Sequence, residues 1–259
     1  MSAAPVGIIC AIPQELPRLA RAIEDPMSVS LGHSTATAGL LDGTPVILVE
    51  AGIGKVNTAM TATLLVHEAG AGALLFSGVA GGLDPECKIG DVVVADRTLH
   101  HDAGVLVDAE LRVYQAGHVP FLNPTDELGY LARPELIARA RQAVVGLELT
   151  PLSATAGGEG QPPRIHFGPI LGGDQYVSCE RTRVRLHEAH RGLAVEMEGA
   201  ALAQSAEAFD VPWLNIRALS DLAGRDSHID FTAFAEEVAA SSATVLRALL
   251  PALAESGLD

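Results

Sequence analysis

Short apolar runs alternating with helix-patterned segments constrain this chain more than any other feature. Val6 to Ile12 is an apolar run ending at Pro13 and reads as a buried strand. Gln14 to Ile23 has helical spacing. Thr35 to Leu41 and Pro45 to Glu50 flank Asp42-Gly43, a strong hairpin signal. Val56 to Glu68 reads as a helix, Ala73 to Ser77 and Asp91 to Asp96 as strands, and Pro134 to about Leu147 as a helix with Pro in its first turn. Pro169 to Leu171 is a strand, Glu180 to Glu188 and Glu198 to Phe209 are helices, and Trp213 to Leu219 is a strand. Asp230 reads as the N-cap of a final helix reaching about Leu253. This alternation predicts an α/β class: a single domain with a central mixed, largely parallel sheet flanked by helices. No internal repeat or long linker divides residues 1–259. A stretch of small residues at about 151–165, Ser153 to Arg164 in particular, reads as an inserted loop or lid.

With 259 residues, 48% of them hydrophobic, the chain can bury a large core. Its formal net charge of -15 repels phosphate backbones and anionic lipid heads, so nucleic acid and membranes are poor partners. No basic residue precedes Arg18 and no apolar run is long enough to span a bilayer, which predicts a cytoplasmic protein. Cys10, Cys87 and Cys179 are widely spaced and form no C-x-x-C pair. That suits a reducing compartment and three small buried hydrophobes better than disulfides or structural zinc.

Two glycine segments invite phosphate readings that fail. Gly52-Ile53-Gly54-Lys55 lacks the upstream glycine and the trailing Ser or Thr of a Walker loop. Gly78-Val79-Ala80-Gly81-Gly82 is not G-x-G-x-x-G. It offers a tight turn, or else close backbone approach with free N–H groups at a strand end. His100-His101-Asp102 reads as a solvated or substrate-facing strand end more than as a metal site, because neighbouring strand residues point to opposite faces and cannot easily share one ion. No metal and no cofactor is expected.

Chemistry concentrates in Ala194-Val195-Glu196-Met197-Glu198-Gly199-Ala200 and Arg217-Ala218-Leu219-Ser220-Asp221. Two acids flank a Met where a strand runs into an alanine-rich helix, and an Asp closes the next strand. In α/β folds such strand ends meet at the mouth of a crevice. An unpaired carboxylate there costs stability, so its presence argues for work on a neutral, hydroxyl-bearing ligand. Taken singly, Glu15 reads as a first-turn helix charge, Glu198 as a helix-start residue and Asp221 as a turn cap.

Five pieces in order carry a resemblance: Ile12-Pro13-Gln14-Glu15, Gly52-Ile53-Gly54-Lys55-Val56-Asn57, Gly78 to Leu83, Val195 to Gly199, and Arg217 to Asp221. Together the chain resembles the nucleoside phosphorylases of the first type, and within them the 5'-methylthioadenosine/S-adenosylhomocysteine nucleosidases, notably the mycobacterial form. The resemblance covers nearly the whole chain. It implies hydrolysis of an adenine N-glycosidic bond without a cofactor, on a small adenine nucleoside.

The resemblance also implies roles. Asp221 matches the acid that protonates N7 of adenine, Glu15 the residue that deprotonates the attacking water, and Glu198 the acceptor of the ribose hydroxyls. Met197 matches the residue packed on the sugar, and Arg217 one that orients Glu15 or the water, with Glu196 as its candidate partner. Gly173-Asp174-Gln175-Tyr176-Val177 matches the base segment, Tyr176 stacking on adenine and the Val177 backbone reading its edge. Val79, Ala80, Gly81 and Ser220 belong to the matched turns, Ile12 and Ile53 to the apolar 5' region, and Phe231 to a position near the nucleoside.

Val79 departs from the pattern, standing where many such enzymes carry Ser or Thr beside the water. The region 108–129 also departs. Family members form a homodimer whose partner completes the 5' pocket near that region. A phosphorylase using phosphate, and an inert nucleoside-binding protein, remain as alternatives. The sequence does not choose among methylthioadenosine, adenosylhomocysteine and aminofutalosine.

Overall fold

A computed structural model describes residues 4–32, 34–224 and 231–254, without the side chains of 231–233 and 254. One ten-stranded mixed sheet organises it. Its strands are β1 (Val6–Cys10), β2 (Glu24–Leu31), β3 (Ser34–Leu41), β4 (Thr44–Glu50), β5 (Ala73–Gly82), β6 (Val92–His100), β9 (Tyr130–Leu131), β10 (Ile165–Gly172), β11 (Ala194–Glu196) and β12 (Trp213–Asp221). A separate hairpin pairs β7 (Gly104–Val107) with β8 (Glu110–Val113). The helices are α1 (Pro17–Ala20), α2 (Lys55–His67), α3 (Pro134–Ala143), α4 (Glu180–His190), α5 (Gly199–Ala208) and α6 (Phe231–Ala254).

The strand order is β11-β10-β6-β12-β5-β1-β4-β3-β2, and β11 also pairs with β5. The path β5-β12-β6-β10-β11 therefore closes on itself, while β1 to β4 extend as a wing. The ladders through β4-β1-β5-β12 and β6-β10-β11 are parallel. Antiparallel pairing enters where β12 meets β6, where β11 meets β5, and along β2-β3-β4. The expected parallel character is thus carried by two ladders, β4-β1-β5-β12 and β6-β10-β11, which the antiparallel β12–β6 and β11–β5 pairings join.

Burial follows the pairing. β1 is buried at every position, and β5 from Ala73 to Gly78, as expected of strands covered on both faces. One apolar cluster runs from Ile8 and Leu74 through Val93 and Ile216 to Leu246 and Leu250 of α6. α6 contributes Val245, Leu246, Leu249, Leu250 and Leu253 to it, an i, i+3, i+4 stripe.

Three expectations need correction. Cys179 is exposed, so only Cys10 and Cys87 are the small buried hydrophobes expected of all three cysteines. Gln14 to Ile23 is not one helix: a 3-10 turn, Pro13–Glu15, precedes the four-residue α1. Pro13 and Pro17 each open a new turn, since neither has an N–H to continue the previous one. The glycine segment after Ser77 is not a turn. β5 continues to Gly82, held extended by β12 on one side and β11 on the other. Asp230, expected as the N-cap of α6, lies outside the described residues.

Candidate active site

The site forms where β1, β5, β11 and β12 end together. Their last residues and the loops that follow line a cavity of about 160 Å³ bounded by Ala11, Ile12, Glu15, Ile53, Val79, Ala80, Gly81, Tyr176, Val195 to Glu198, Arg217, Ser220 and Asp221. Larger cavities exist, but among the described residues they contain none of these carboxylates. The converging carboxylates, rather than size, single this cavity out.

Glu15 is buried and held by three backbone donors. Ala11 N–H and Ile12 N–H donate to Oε2 at 2.7 and 3.2 Å, and Val79 N–H donates to Oε1 at 3.0 Å. Burial raises its pKa, while Arg217 and these N–H groups pull it back only in part. Gly78 makes the approach possible: a Cβ there would press into the Glu15 carboxylate and the Arg217 guanidinium. Of the two readings of this segment, close backbone approach is the one the geometry realises.

Glu196, Glu198 and Arg217 form a buried ionic cluster. Arg217 Nη2 donates to Glu196 Oε2 at 2.5 Å and to Glu198 Oε2 at 3.3 Å. Its Nε donates to Asn215 Oδ1 at 2.9 Å, and its Cζ lies 4.1 Å from the Phe76 ring centre. Glu196 Oε2 also accepts from the N–H groups of Glu198 and Gly199, so it caps the start of α5. That makes Glu196 the partner of Arg217; Asn215 was missed, although it shares a face of β12 with Arg217 at the two-residue strand period.

Glu198 turns its other oxygen outward along the cavity, where Gly54 N–H donates to Oε1 at 2.8 Å. Gly54 adopts φ +101, a conformation open to glycine, which aims that N–H. Burial raises the Glu198 pKa and adjacent Glu196 adds to this, with Arg217 opposing.

Asp221, across the cavity, has its pKa raised by burial. Ala223 N–H donates to Oδ1 at 2.7 Å and the Ser220 hydroxyl to Oδ2 at 2.9 Å, which fix the carboxyl's direction. Tyr176 and Ile53 stand at the mouth, more than half exposed. Val177 instead packs into a second apolar cluster with Leu99, Leu171 and Leu186. The side chain of Phe231 lies outside the described residues.

The histidine pair is neither solvated nor facing the cavity: both rings are buried. His100 Nε2 lies 3.0 Å from Gln204 Oε1, and the His101 ring abuts Gly173. Burial lowers both pKa values, that of His101 to about 4, so both rings are neutral near pH 7. The 151–165 segment contributes no residue to the cavity among the described residues; Ser153 instead bonds Glu237 of α6 through its N–H and hydroxyl.

A family model described as the phosphorylase superfamily matches residues 5–251. The chain is 55% identical over 251 residues to proteins of Mycobacterium bovis and Mycobacterium tuberculosis named 5'-methylthioadenosine/S-adenosylhomocysteine nucleosidase, covering 97% of this chain and 98% of each relative. A similarly named Neisseria meningitidis enzyme, solved with methylthio-immucillin-A, superposes with a TM-score of 0.78 at 32% identity, covering 95% of this chain and 97% of that one. The Streptococcus pyogenes S-adenosylhomocysteine nucleosidase, solved with 5-methylthiotubericidin, gives 0.80 at 32% identity, over 96% and 97%. The chain belongs to the 5'-methylthioadenosine/S-adenosylhomocysteine nucleosidase family of the phosphorylase superfamily.

Proposed function

We propose that the protein hydrolyses the N-glycosidic bond of 5'-methylthioadenosine or S-adenosylhomocysteine, releasing adenine and a 5-thio-substituted ribose. The observation that carries this reading is the convergence of buried Glu15 and Glu198 and half-buried Asp221 on one cavity whose single cation, among the described residues, is Arg217. Breaking C1'–N9 puts positive charge on the ribose and negative charge on the base. Arg217 is matched by Glu196, which leaves Glu15 and Glu198 to favour the developing cation. Glu198 accepts hydrogen bonds from the ribose hydroxyls and Met197 packs on the sugar. Glu15 takes a proton from the water that attacks C1', and Asp221 gives its proton to adenine N7. The raised pKa of Asp221 favours the protonated form this step needs.

A phosphorylase would need cations free to hold the anion. Arg217 is already bonded to two carboxylates, and Glu15 faces the same space. Adenine release from the purified protein, measured with and without phosphate, tests the reading. Equal release without phosphate, with the free 5-thio-substituted ribose as co-product, is expected. A strict phosphate requirement overturns hydrolysis.

The same reading includes a homodimer. Ile53, Val56 and Met60 are exposed apolar residues on the loop and helix beside the cavity mouth, and Phe121 and Leu122 project from the 108–129 region. A second copy covering them would close the 5' end of the site. Sedimentation equilibrium at micromolar concentration should give twice the chain mass.

A further inference from the structure

Outside the cavity, three segments distant in sequence are joined by a ring of charge-assisted bonds. Lys55 opens α2, Asp102 follows the end of β6, and Asp174 follows the end of β10. Lys55 Nζ donates to both Asp102 oxygens, at 2.8 and 2.9 Å, and lies 3.8 Å from Asp174 Oδ2. Lys55 N–H donates to Asp174 Oδ1 at 2.9 Å, and Asp174 N–H donates to Asp102 Oδ2 at 2.8 Å. Each residue is thereby bonded to the other two.

Both ends of this ring reach the cavity within two residues. Gly54, next to Lys55, donates its N–H to Glu198, and Ile53 before it lines the wall. Tyr176, two residues after Asp174, lines it as well. His101, preceding Asp102, blocks Gly173 from one side, since a Cβ on Gly173 would strike its ring. The backbone beside the ribose carboxylate and the backbone beside the base-facing ring therefore share one anchor.

We propose that Lys55, Asp102 and Asp174 are positioning residues that couple the ribose-holding carboxylate to the base-holding segment, so that the two halves of a nucleoside bind cooperatively. This rests on the nucleosidase reading of the cavity. None of the three lines the cavity. Their effect is geometric: they set the distance between Glu198 and Tyr176, and reaction rates fall steeply when reacting groups are displaced by about 1 Å. The chemistry suits the task. Asp102 is buried enough to have a definite place, and Lys55, although partly solvated, reaches it with a bidentate contact. Burial works against the Asp102 charge, but Lys55 and the Asp174 N–H hold its pKa below the usual carboxylate range.

Asp102→Asn keeps the shape and the acceptor for Asp174 N–H while removing the charge that holds Lys55. Lys55→Met removes the cation, and Lys55→Arg restores it. For each full-length variant, adenine release gives kcat and KM with methylthioadenosine. Calorimetry gives the affinities for adenine, and for a base-free hydroxylated pyrrolidinium as ribose-cation mimic, each alone and together.

The parent should bind the two fragments together at least about tenfold more tightly than separately, a coupling of ordinary size. Asp102→Asn and Lys55→Met should lose that synergy and raise KM about 10- to 100-fold, with thermal midpoints within about 4 °C of the parent. Lys55→Arg should recover most of the synergy, and the double variant should be no worse than either single one. A parent that hydrolyses substrate but shows no synergy overturns the proposal, as does an Asp102→Asn protein with parental KM and synergy. Should Asp102→Asn fold poorly, the contrast between Lys55→Met and Lys55→Arg decides alone: equal synergy in both defeats the clamp. A parent that releases no adenine defeats the nucleosidase reading instead, and the fragment binding still tests the clamp.

Discussion

Arg217 Nη2 sits 2.5 Å from Glu196 Oε2 and 3.3 Å from Glu198 Oε2, with all three side chains almost wholly buried. Such a cluster is expensive to assemble, because every charge has left water. Once assembled it is expensive to break. Arg217→Met leaves Glu196 and Glu198 buried without their cation and should destabilise the fold by about 3–5 kcal/mol. Urea denaturation measures this. A loss below about 1 kcal/mol would mean that water or rearranged donors already neutralise the acids.

Asp221 has no cation beside it among the described residues, and its partners are the Ser220 hydroxyl and the Ala223 N–H. A carboxyl so placed can hold a proton and present it to a base. Asp221→Asn preserves the shape but supplies no acidic proton. The expected loss in kcat is about 10²- to 10⁴-fold, with affinity for a non-hydrolysable nucleoside analogue within a few-fold of the parent. Near-parental turnover would remove Asp221 from the acid role.

Much of this arrangement is legible in the sequence because it sits at strand ends. An apolar run that stops at Pro13 or at Asp221 announces both a buried strand and the place where its loop becomes a site. Three features were not legible for physical reasons. β2 begins Glu-Asp-Pro-Met and is exposed over most of its length; it pairs only with β3, so it carries no alternating apolar pattern. The glycines of β5 are extended because two neighbouring ladders hold them, a tertiary effect that overrides local preference. The ring of Lys55, Asp102 and Asp174 depends on side chains that meet only after β6 and β10 have paired.

Gly78 offers a test of close approach. A methyl group there must displace the Glu15 carboxylate or the Arg217 guanidinium, neither of which has room to retreat. Gly78→Ala should lower kcat by at least about 10²-fold, since a shift near 1 Å suffices, and cost about 1–3 kcal/mol of stability from overpacking. Gly43, exposed at the tip of the β3–β4 hairpin with nothing near its Cβ position, provides the contrast. Its Ala variant should be strained by φ +79 yet leave kcat unchanged.

Glu15 connects catalysis to stability through pH. Its folded-state pKa is raised, chiefly by burial, so the folded protein binds this proton more tightly than the unfolded chain does. Stability contributed by the protonated group is fully present below the unfolded value of about 4.3 and is lost as pH rises through the folded pKa. Glu15→Gln cannot ionise and escapes that loss. Its thermal midpoint should match the parent at about pH 4 and exceed it increasingly toward neutrality. Activity should move the opposite way. As the proposed base Glu15 must be ionised, so parental kcat/KM should fall on the acid side with a midpoint above the ordinary Glu range, and Glu15→Gln should be inactive throughout. Melting curves and adenine release, each measured across pH for both proteins, check the two halves together. A variant less stable than the parent at pH 7, or an acid limb at an ordinary carboxylate pKa, would contradict a buried base whose desolvation is its largest electrostatic influence.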